Sequence, residues 1–179
     1  MIKKALILTG KLVQDHEFIY PYYRLKEEDF QVTVATEDGL DTIGVLGTKI
    51  PVDEKIDNIN PDEYDLLVLP GGAKAMEYMR QNKRILEIIS DWNKNGKVIA
   101  SICHGGQLLI SAKVVNGRKI SGYYSIKDDL INAGAEYVDA PAVVDKNIIS
   151  SPHYKHLGPW MKEALKQLNA QNDKKNRTI

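Results

Sequence analysis

The chain has 179 residues, which suits one domain with a sizeable core and is short for two. Its 24 basic and 24 acidic side chains cancel, so charge gives no case for binding nucleic acid or an anionic membrane surface. The single cysteine, Cys103, excludes a disulfide framework within the chain and a thiolate-rich structural zinc site, and it is typical of a reducing cytoplasm.

The first part of the chain predicts strand, helix and strand. The apolar run at residues 5–8 predicts a strand buried on both faces. This run is too short, and too soon interrupted by Lys11, for a signal peptide or a membrane span. Apolar spacing then predicts a helix over residues 17–27 and a strand over residues 31–36. Residues 44–52 carry β-branched residues and glycines, which indicates a small hairpin or an edge excursion.

Two further buried strands are predicted in the middle of the chain. The first covers residues 65–69 and ends at the Pro-Gly-Gly of residues 70–72. A helix follows over residues 84–92, with its apolar residues on one face. The second strand covers residues 98–102 and is followed by a short helix over residues 107–112.

The C-terminal part is predicted to hold the remaining elements of one domain that spans residues 1–170, followed by a polar tail over residues 171–179. These elements are a helix over residues 125–133, ended by Gly134, two short strands over 142–145 and 147–150, and a last helix over 157–168.

The alternation of strands and helices predicts an α/β fold with a mostly parallel sheet and helices on both faces. Ligands of such sheets bind at the carboxyl ends of the strands. Three such ends carry candidate residues, namely residues 9–15, residues 70–72 and Cys103 with His104. A doubly wound sheet brings all three to one crevice.

Cys103 stands at the end of a predicted strand. A lone cysteine is more often a small buried hydrophobic residue. Here, however, the strand stops at Cys103, and His104, two glycines and a helix follow, which is the layout of a nucleophile elbow. The backbone N–H groups of His104 and Gly72 are the candidate oxyanion donors. The alternative for the Pro-Gly-Gly segment is a tight turn without a catalytic role.

His104 and Glu17 are the candidate proton-transfer groups. Neighbouring residues of a helix do not face each other, so His104 reaches Cys103 only if the elbow bends the chain; otherwise it is a histidine at a helix start. Glu17 is either a favourable acid at a helix N-terminus or a carboxyl group that points at Cys103. An ionised Glu17 would oppose a thiolate by repulsion, so it helps to stabilise a thiolate only when protonated, by donating a hydrogen bond to the sulfur. This reading predicts a raised pKa for Glu17 and a lowered pKa for Cys103.

Together, these residues resemble the ThiJ/PfpI family of the class I glutamine-amidotransferase-like superfamily, and its PfpI-like branch in particular. The resemblance runs from the first strand to about Trp160 and is strongest at residues 15–21, 23–28, 67–72, 101–111, 116–119, 126–129 and 131–136. It implies a flavodoxin-like three-layer sandwich with Cys103 on a nucleophile elbow.

The resemblance also implies roles for individual residues. Glu17 corresponds to the carboxyl partner of Cys103, and His104 to the adjacent histidine. In oligomeric peptidase members a glutamate from a neighbouring subunit orients this histidine, and the matching position here is Glu77. Tyr123 corresponds to a residue that lines the cysteine pocket. A homo-oligomer is implied as well.

The chain departs from the family pattern near this pocket. The family usually has proline at Gly106, Tyr-Pro at residues 123–124, and Ser-Arg where residues 151–152 read Ser-Pro. His153 and His156 follow in the same loop, and together with Pro152 they are predicted to remodel the pocket. Two histidines are too few ligands to predict a metal site.

The resemblance implies a cysteine-dependent stress-response enzyme that acts on reactive carbonyls such as 2-oxoaldehydes, with glyoxalase III-like or deglycase-like activity. One alternative is a cysteine peptidase that uses Cys103, His104 and Glu77 of a neighbouring subunit. Another is a non-catalytic redox sensor or chaperone. No cofactor is predicted, because the sequence has neither a Walker A pattern nor G-x-G-x-x-G after the first strand.

Overall fold

A computed structural model describes residues 2–177. Its strands are β1 (Lys4–Leu8), β2 (Gln31–Thr36), β3 (Thr42–Ile43), β4 (Lys49–Ile50), β5 (Glu54–Lys55), β6 (Leu66–Leu69), β7 (Val98–Ile102), β8 (Lys119–Ile120), β9 (Glu136–Tyr137), β10 (Val143–Asp145) and β11 (Ile148–Ser151). Its α-helices are α1 (Asp15–Glu27), α2 (Ala73–Met79), α3 (Lys83–Lys94), α4 (Gly106–Ser111), α5 (Lys127–Asn132) and α6 (Leu157–Arg177).

Within residues 2–177, the main sheet has seven strands in the order β10-β11-β7-β6-β1-β2-β5. All of its pairings are parallel except the edge hairpin of β10 with β11. The central strands β6 and β7 are buried at every position, which explains their continuous apolar sequences. The predicted mostly parallel sheet is therefore confirmed.

Helices cover the sheet in two groups. The first group comprises α1 and α6, which contact each other, and the second comprises α3 and α4. Both α3 and α6 contact β7, the strand that leads to Cys103. Trp92 of α3 and Trp160 of α6 are each almost completely buried and fill the core on their respective sides of β7. The result is the predicted flavodoxin-like α/β sandwich.

In the part of the chain that the structure describes, two small strand pairings lie outside the main sheet. The antiparallel pair β3–β4 forms a small hairpin, but it begins at Thr42, two residues before the segment 44–52 in which a hairpin or an edge excursion was predicted. Its loop is fixed by the buried carboxylate of Asp15, which accepts hydrogen bonds from the backbone N–H groups of Leu46 (2.7 Å) and Thr48 (2.9 Å). The parallel pair β8–β9 and helix α2 were not predicted as elements.

The last helix is longer than predicted. It continues past residue 168 to Arg177, so residues 171–177, predicted as a polar tail, are helical. The segment has no proline or glycine to stop a helix. Gln171 also donates a side-chain hydrogen bond to the Gly96 carbonyl at 2.9 Å. Across residues 2–177, no helix is both long and apolar enough to cross a membrane.

Candidate active site

The chain turns sharply at Cys103. Strand β7 ends at Ile102, and Cys103 has a φ of 58°, in the left-handed region. This conformation costs a non-glycine residue about 1–2 kcal/mol. The turn Cys103–Gly105 then leads directly into α4. A Cβ on Gly105 would lie 2.5 Å from the Leu69 carbonyl oxygen, so only glycine allows the turn to pack against β6. The predicted nucleophile elbow is therefore present.

Glu17 lies in the first turn of α1 and is completely buried. Its Oε2 accepts a hydrogen bond from the Gly71 N–H at 2.7 Å. Its Oε1 has no nitrogen or oxygen partner within residues 2–177, and the carboxyl group interacts with the Cys103 side chain. Burial raises the pKa of Glu17 to about 7, because the hydrogen bonds from Gly71 and Cys103 only partly offset the lost hydration.

The thiol of Cys103 is also buried, with 5% of the residue exposed. Burial raises the pKa of Cys103 above its ordinary value, and the negative charge of Glu17 raises it further. Backbone hydrogen bonds from His104 and Gly72 act in the opposite direction but are outweighed. The expected lowering of the Cys103 pKa was therefore wrong. The sulfur is protonated at neutral pH and needs a base when it attacks an electrophile.

Both candidate oxyanion donors point at the sulfur. The backbone N–H groups of His104 and Gly72 each hydrogen-bond Cys103. Gly72 adopts a φ of 100°, and a Cβ at this position would lie 2.6 Å from the Gln14 nitrogen. This turn therefore requires glycine, because the loop before α1 packs directly against it. The two converging N–H groups can also stabilise negative charge on an oxygen bound next to the sulfur.

His104 reaches Cys103 because the elbow bends the chain. Its Nδ1 lies 3.4 Å from the Cys103 sulfur. Its ring stacks on Tyr123 with centroids 4.7 Å apart and planes 28° apart. Burial lowers the pKa of His104, which keeps the ring neutral near pH 7. Its other nitrogen, Nε2, lies 3.2 Å from the hydroxyl of Ser125, a contact that sequence reasoning missed because no motif marks an exposed serine.

Glu77 does not hydrogen-bond to His104 within the chain. It is exposed on α2, where its carboxylate pairs with Lys74 at 2.6 Å. Glu77 and His104 do line one open groove of about 630 Å³, together with Ser125 and Asp129. The contribution of Glu77 from a neighbouring subunit stays a prediction.

A row of stacked rings continues from His104 into the unusual loop. Tyr123 stacks on His153 at 5.8 Å, and His153 contacts Tyr154 at 4.0 Å. Burial lowers the pKa of His153, as do the nearby charges of Lys155 and His156. His153 is therefore part of the wall around Tyr123, whereas His156 joins the loop through its backbone N–H, which donates to the His153 carbonyl. In the part of the chain that the structure describes, no three metal-ligating side chains are grouped.

The chain matches the sequence profile of the DJ-1/PfpI family over residues 3–167. It is 48% identical over 166 residues to a Pyrococcus furiosus protein named Deglycase PfpI, an alignment that covers 92% of this chain and 99% of that one. It is 34% identical over 169 residues to the Bacillus subtilis protein named Putative cysteine protease YraA, covering 94% and 99% of the two chains.

The fold is similar to that of a solved structure from Anabaena variabilis, with a TM-score of 0.90 at 33% sequence identity. That structure is a two-domain protein with DJ-1/ThiJ/PfpI-like and ferritin-like domains. The match covers 93% of this chain, which spans about half (48%) of that longer protein. Profile, relatives and fold agree: the chain belongs to the DJ-1/PfpI family.

Proposed function

We propose that the protein is a cysteine-dependent enzyme that acts on reactive carbonyls. It isomerises and hydrates free 2-oxoaldehydes to 2-hydroxy acids and removes their adducts from amines and thiols. The observation that carries the proposal is the buried Glu17 carboxyl group, with a pKa of about 7, against the Cys103 thiol. A base with this pKa is suited to proton transfer at neutral pH. The 48% identity to a protein named Deglycase PfpI supports the same reading.

The first step joins sulfur to the aldehyde carbon. Glu17 takes the proton from the Cys103 thiol as the sulfur attacks, and the carbonyl electron pair moves onto oxygen. The N–H groups of His104 and Gly72 stabilise that oxygen until it is protonated by Glu17. On an amine adduct the C–N bond breaks instead, and Glu17 protonates the leaving amine. Both substrates give the same hemithioacetal on Cys103.

The second stage is an internal redox isomerisation. Glu17, ionised again, removes the hydrogen from the former aldehyde carbon and returns it to the neighbouring ketone carbon. The hemithioacetal hydroxyl proton passes to the former ketone oxygen, which leaves a 2-hydroxyacyl thioester. Water then breaks the C–S bond, with His104 as the base, and yields the 2-hydroxy acid and the free thiol. One carbon is oxidised and its neighbour reduced, so the reaction consumes only water.

The burial of the sulfur favours compact substrates. With 5% of Cys103 exposed, a small oxoaldehyde can reach the sulfur more easily than the carbonyl of a folded peptide chain. Tyr123, stacked on His104, borders the same site.

Turnover of methylglyoxal and of its adduct with N-acetyl-lysine tests the proposal. The wild type is expected to release a 2-hydroxy acid from both and free amine from the adduct, whereas Cys103→Ala is expected to form no 2-hydroxy acid and to leave amine release at its spontaneous rate. Because the adduct dissociates reversibly, the spontaneous rate is measured with an excess of a small-molecule aldehyde scavenger, and only amine release faster than this rate reflects action on the adduct itself. No 2-hydroxy acid from the wild type, or equal rates in both proteins, would overturn the proposal.

Peptide hydrolysis is the second candidate. It is supported by the presence of Glu77 in the same groove as His104 and by the Bacillus subtilis relative named Putative cysteine protease. It requires a homo-oligomer in which Glu77 of one copy reaches His104 of another. Cleavage of a fluorogenic peptide that is lost in Glu77→Ala, while oxoaldehyde turnover is kept, would support it. No cleavage by an oligomeric wild type would exclude it.

We further propose a cytoplasmic location and a homo-oligomeric state. A catalytic thiol has to remain reduced, which suits the cytoplasm.

A redox-sensor role is less favoured, because a raised pKa of Cys103 slows oxidation through the thiolate.

A further inference from the structure

Both ring nitrogens of His104 have a partner in the same chain. Nδ1 lies 3.4 Å from the Cys103 sulfur and Nε2 lies 3.2 Å from the Ser125 hydroxyl. The ring therefore bridges sulfur and hydroxyl. Tyr123 covers one face of the ring at 4.7 Å, which restricts its rotation.

Ser125 is held in place by a short turn that is anchored to the elbow. The Tyr123 N–H donates to the Cys103 carbonyl at 3.1 Å, and the Ile126 N–H donates to the Tyr123 carbonyl at 3.0 Å. Ile126 is 2% exposed and fixes the end of the turn Tyr124–Ile126 in the core. The hydroxyl is therefore positioned by backbone bonds to the nucleophile itself, although the Ser125 side chain is exposed to solvent.

A hydroxyl partner has a property that a carboxylate lacks. It donates to Nε2 when the ring proton is on Nδ1, and it accepts from Nε2 when that proton has moved there. A carboxylate can only accept, so it holds the proton on Nε2 and favours a charged ring. Hydrolysis of a thioester on Cys103 needs His104 first to accept a proton from water and then to give one to the departing sulfur. A partner that suits both tautomers fits this sequence.

We propose that Ser125 positions His104 for this proton transfer, so that the relay of sulfur, imidazole and hydroxyl is complete within one chain. Ser125 is a positioning residue, since it acts on the substrate only through His104. The inference rests on the proposed carbonyl chemistry and adds that this chemistry needs no side chain from a second copy. Glu77, paired with Lys74 on the exposed face of α2, is not required for it.

Kinetics of methylglyoxal turnover in Ser125→Ala and Ser125→Thr test the inference, with Ser90→Ala on the exposed side of α3 as a matched control. Losing a hydrogen bond of ordinary strength is expected to lower kcat about 10-fold in Ser125→Ala, with KM unchanged. Ser125→Thr keeps the hydroxyl and is expected to retain most of kcat. Ser90→Ala is expected to match the wild type.

A second measurement does not depend on turnover. The ¹⁵N chemical shifts of the His104 ring, assigned with a His104→Gln variant, report which nitrogen carries the proton. At pH 8, exchange between the two tautomers is expected in the wild type, and a shift towards one tautomer in Ser125→Ala but not in Ser125→Thr. If the wild type turns over no carbonyl substrate, the proposed function fails, and the ring shifts still decide whether Ser125 controls His104.

Two results would overturn the inference. One is a Ser125→Ala protein with wild-type kcat and wild-type ring shifts. The other is a loss of oxoaldehyde turnover in Glu77→Ala while Ser125→Ala keeps wild-type turnover. That result would show that Glu77 of a neighbouring copy, and not Ser125, orients His104.

Discussion

Glu17 is a buried carboxyl group at the centre of the site, and its ionisation costs the folded protein stability. The folded pKa of about 7 lies above the ordinary value of 4.5. Between these values the folded state keeps a proton that the unfolded state has lost. The stabilising contribution of this proton is fully present below pH 4.5 and is lost as pH rises to 7 and above.

Glu17→Gln is therefore expected to remove this pH dependence. The amide keeps the size of the side chain and can still accept from the Gly71 N–H. A shift from 4.5 to about 7 corresponds to about 3 kcal/mol. In urea unfolding, the stability of the variant minus that of the wild type should increase by about this amount as the pH is raised from 5 to 8. If the difference in unfolding free energy between Glu17→Gln and the wild type were the same at pH 5 and pH 8, the raised pKa of Glu17 would be contradicted.

Most of the candidate reacting groups could be predicted from the sequence, but the protonation state of Cys103 could not. The elbow at Cys103 and the carboxyl of Glu17 follow from residue type and strand ends. The direction of the Cys103 pKa did not, because burial of the sulfur depends on packing that a sequence does not display. Ser125 was missed for a related reason: only the bonded turn after Gly122 brings it to His104.

At the scale of elements, Gly71 is the point where β6, α1 and the elbow meet. A Cβ there would lie 2.6 Å from Glu17 Oε2, 2.8 Å from the His104 nitrogen and 2.9 Å from the Ile102 carbonyl. These groups are backbone or completely buried and have no room to move. The close approach therefore fixes the spacing of carboxyl, sulfur and N–H donors.

Gly71→Ala is expected to lose about 3 kcal/mol of stability and most of its activity, because the added methyl group separates these elements. Gly158→Ala in α6 is the matched control, since its Cβ would meet only Tyr20 Oη at 4.0 Å. The control should be as stable as the wild type or slightly more stable. Thermal unfolding and methylglyoxal turnover compare the two, and similar values for both variants would refute the steric account.

Arg118 connects helix α3 and the β10–β11 hairpin near the start of β7, at the end opposite Cys103. Its guanidinium donates to the Asp145 carbonyl at 2.5 Å, to Asn147 at 3.2 Å and to Asn93 at 3.3 Å. It also pairs with the Asp145 carboxylate at 3.3 Å while only 8% exposed. One planar side chain thus ties α3 to the β10–β11 hairpin.

Arg118→Lys is expected to cost about 2 kcal/mol in urea unfolding, because a single ammonium group cannot serve all these acceptors. Arg24→Lys makes the same replacement on the surface of α1, where Arg24 pairs with Glu28. That control should change stability by less than about 0.5 kcal/mol. Equal losses in the two variants would show that the Arg118 cluster adds nothing specific.

At the scale of the whole molecule, the sequence predicted the sheet well and the surface elements less well. Strands β2 and β7 begin and end where predicted, since β7 is a buried, mostly apolar run, β2 is rich in β-branched residues, and both lie between clear turn residues. Helix α2 was missed because its seven residues follow a glycine turn with no side-chain cap. The end of α6 was missed because its last turns are polar, and their anchoring on Gly96 depends on the tertiary fold.

In the proposed mechanism, Glu17 is the base that activates Cys103. The most direct test is the pH dependence of kcat/KM for methylglyoxal in the wild type and in Glu17→Gln, measured together with the rate of Cys103 alkylation. We predict that kcat/KM in the wild type rises with an inflection near pH 7. In Glu17→Gln it should fall at least about 100-fold, although the thiol, freed from the carboxylate charge, alkylates at lower pH. A variant that keeps wild-type turnover, or a wild type without an inflection near pH 7, would contradict the assignment of Glu17 as this base.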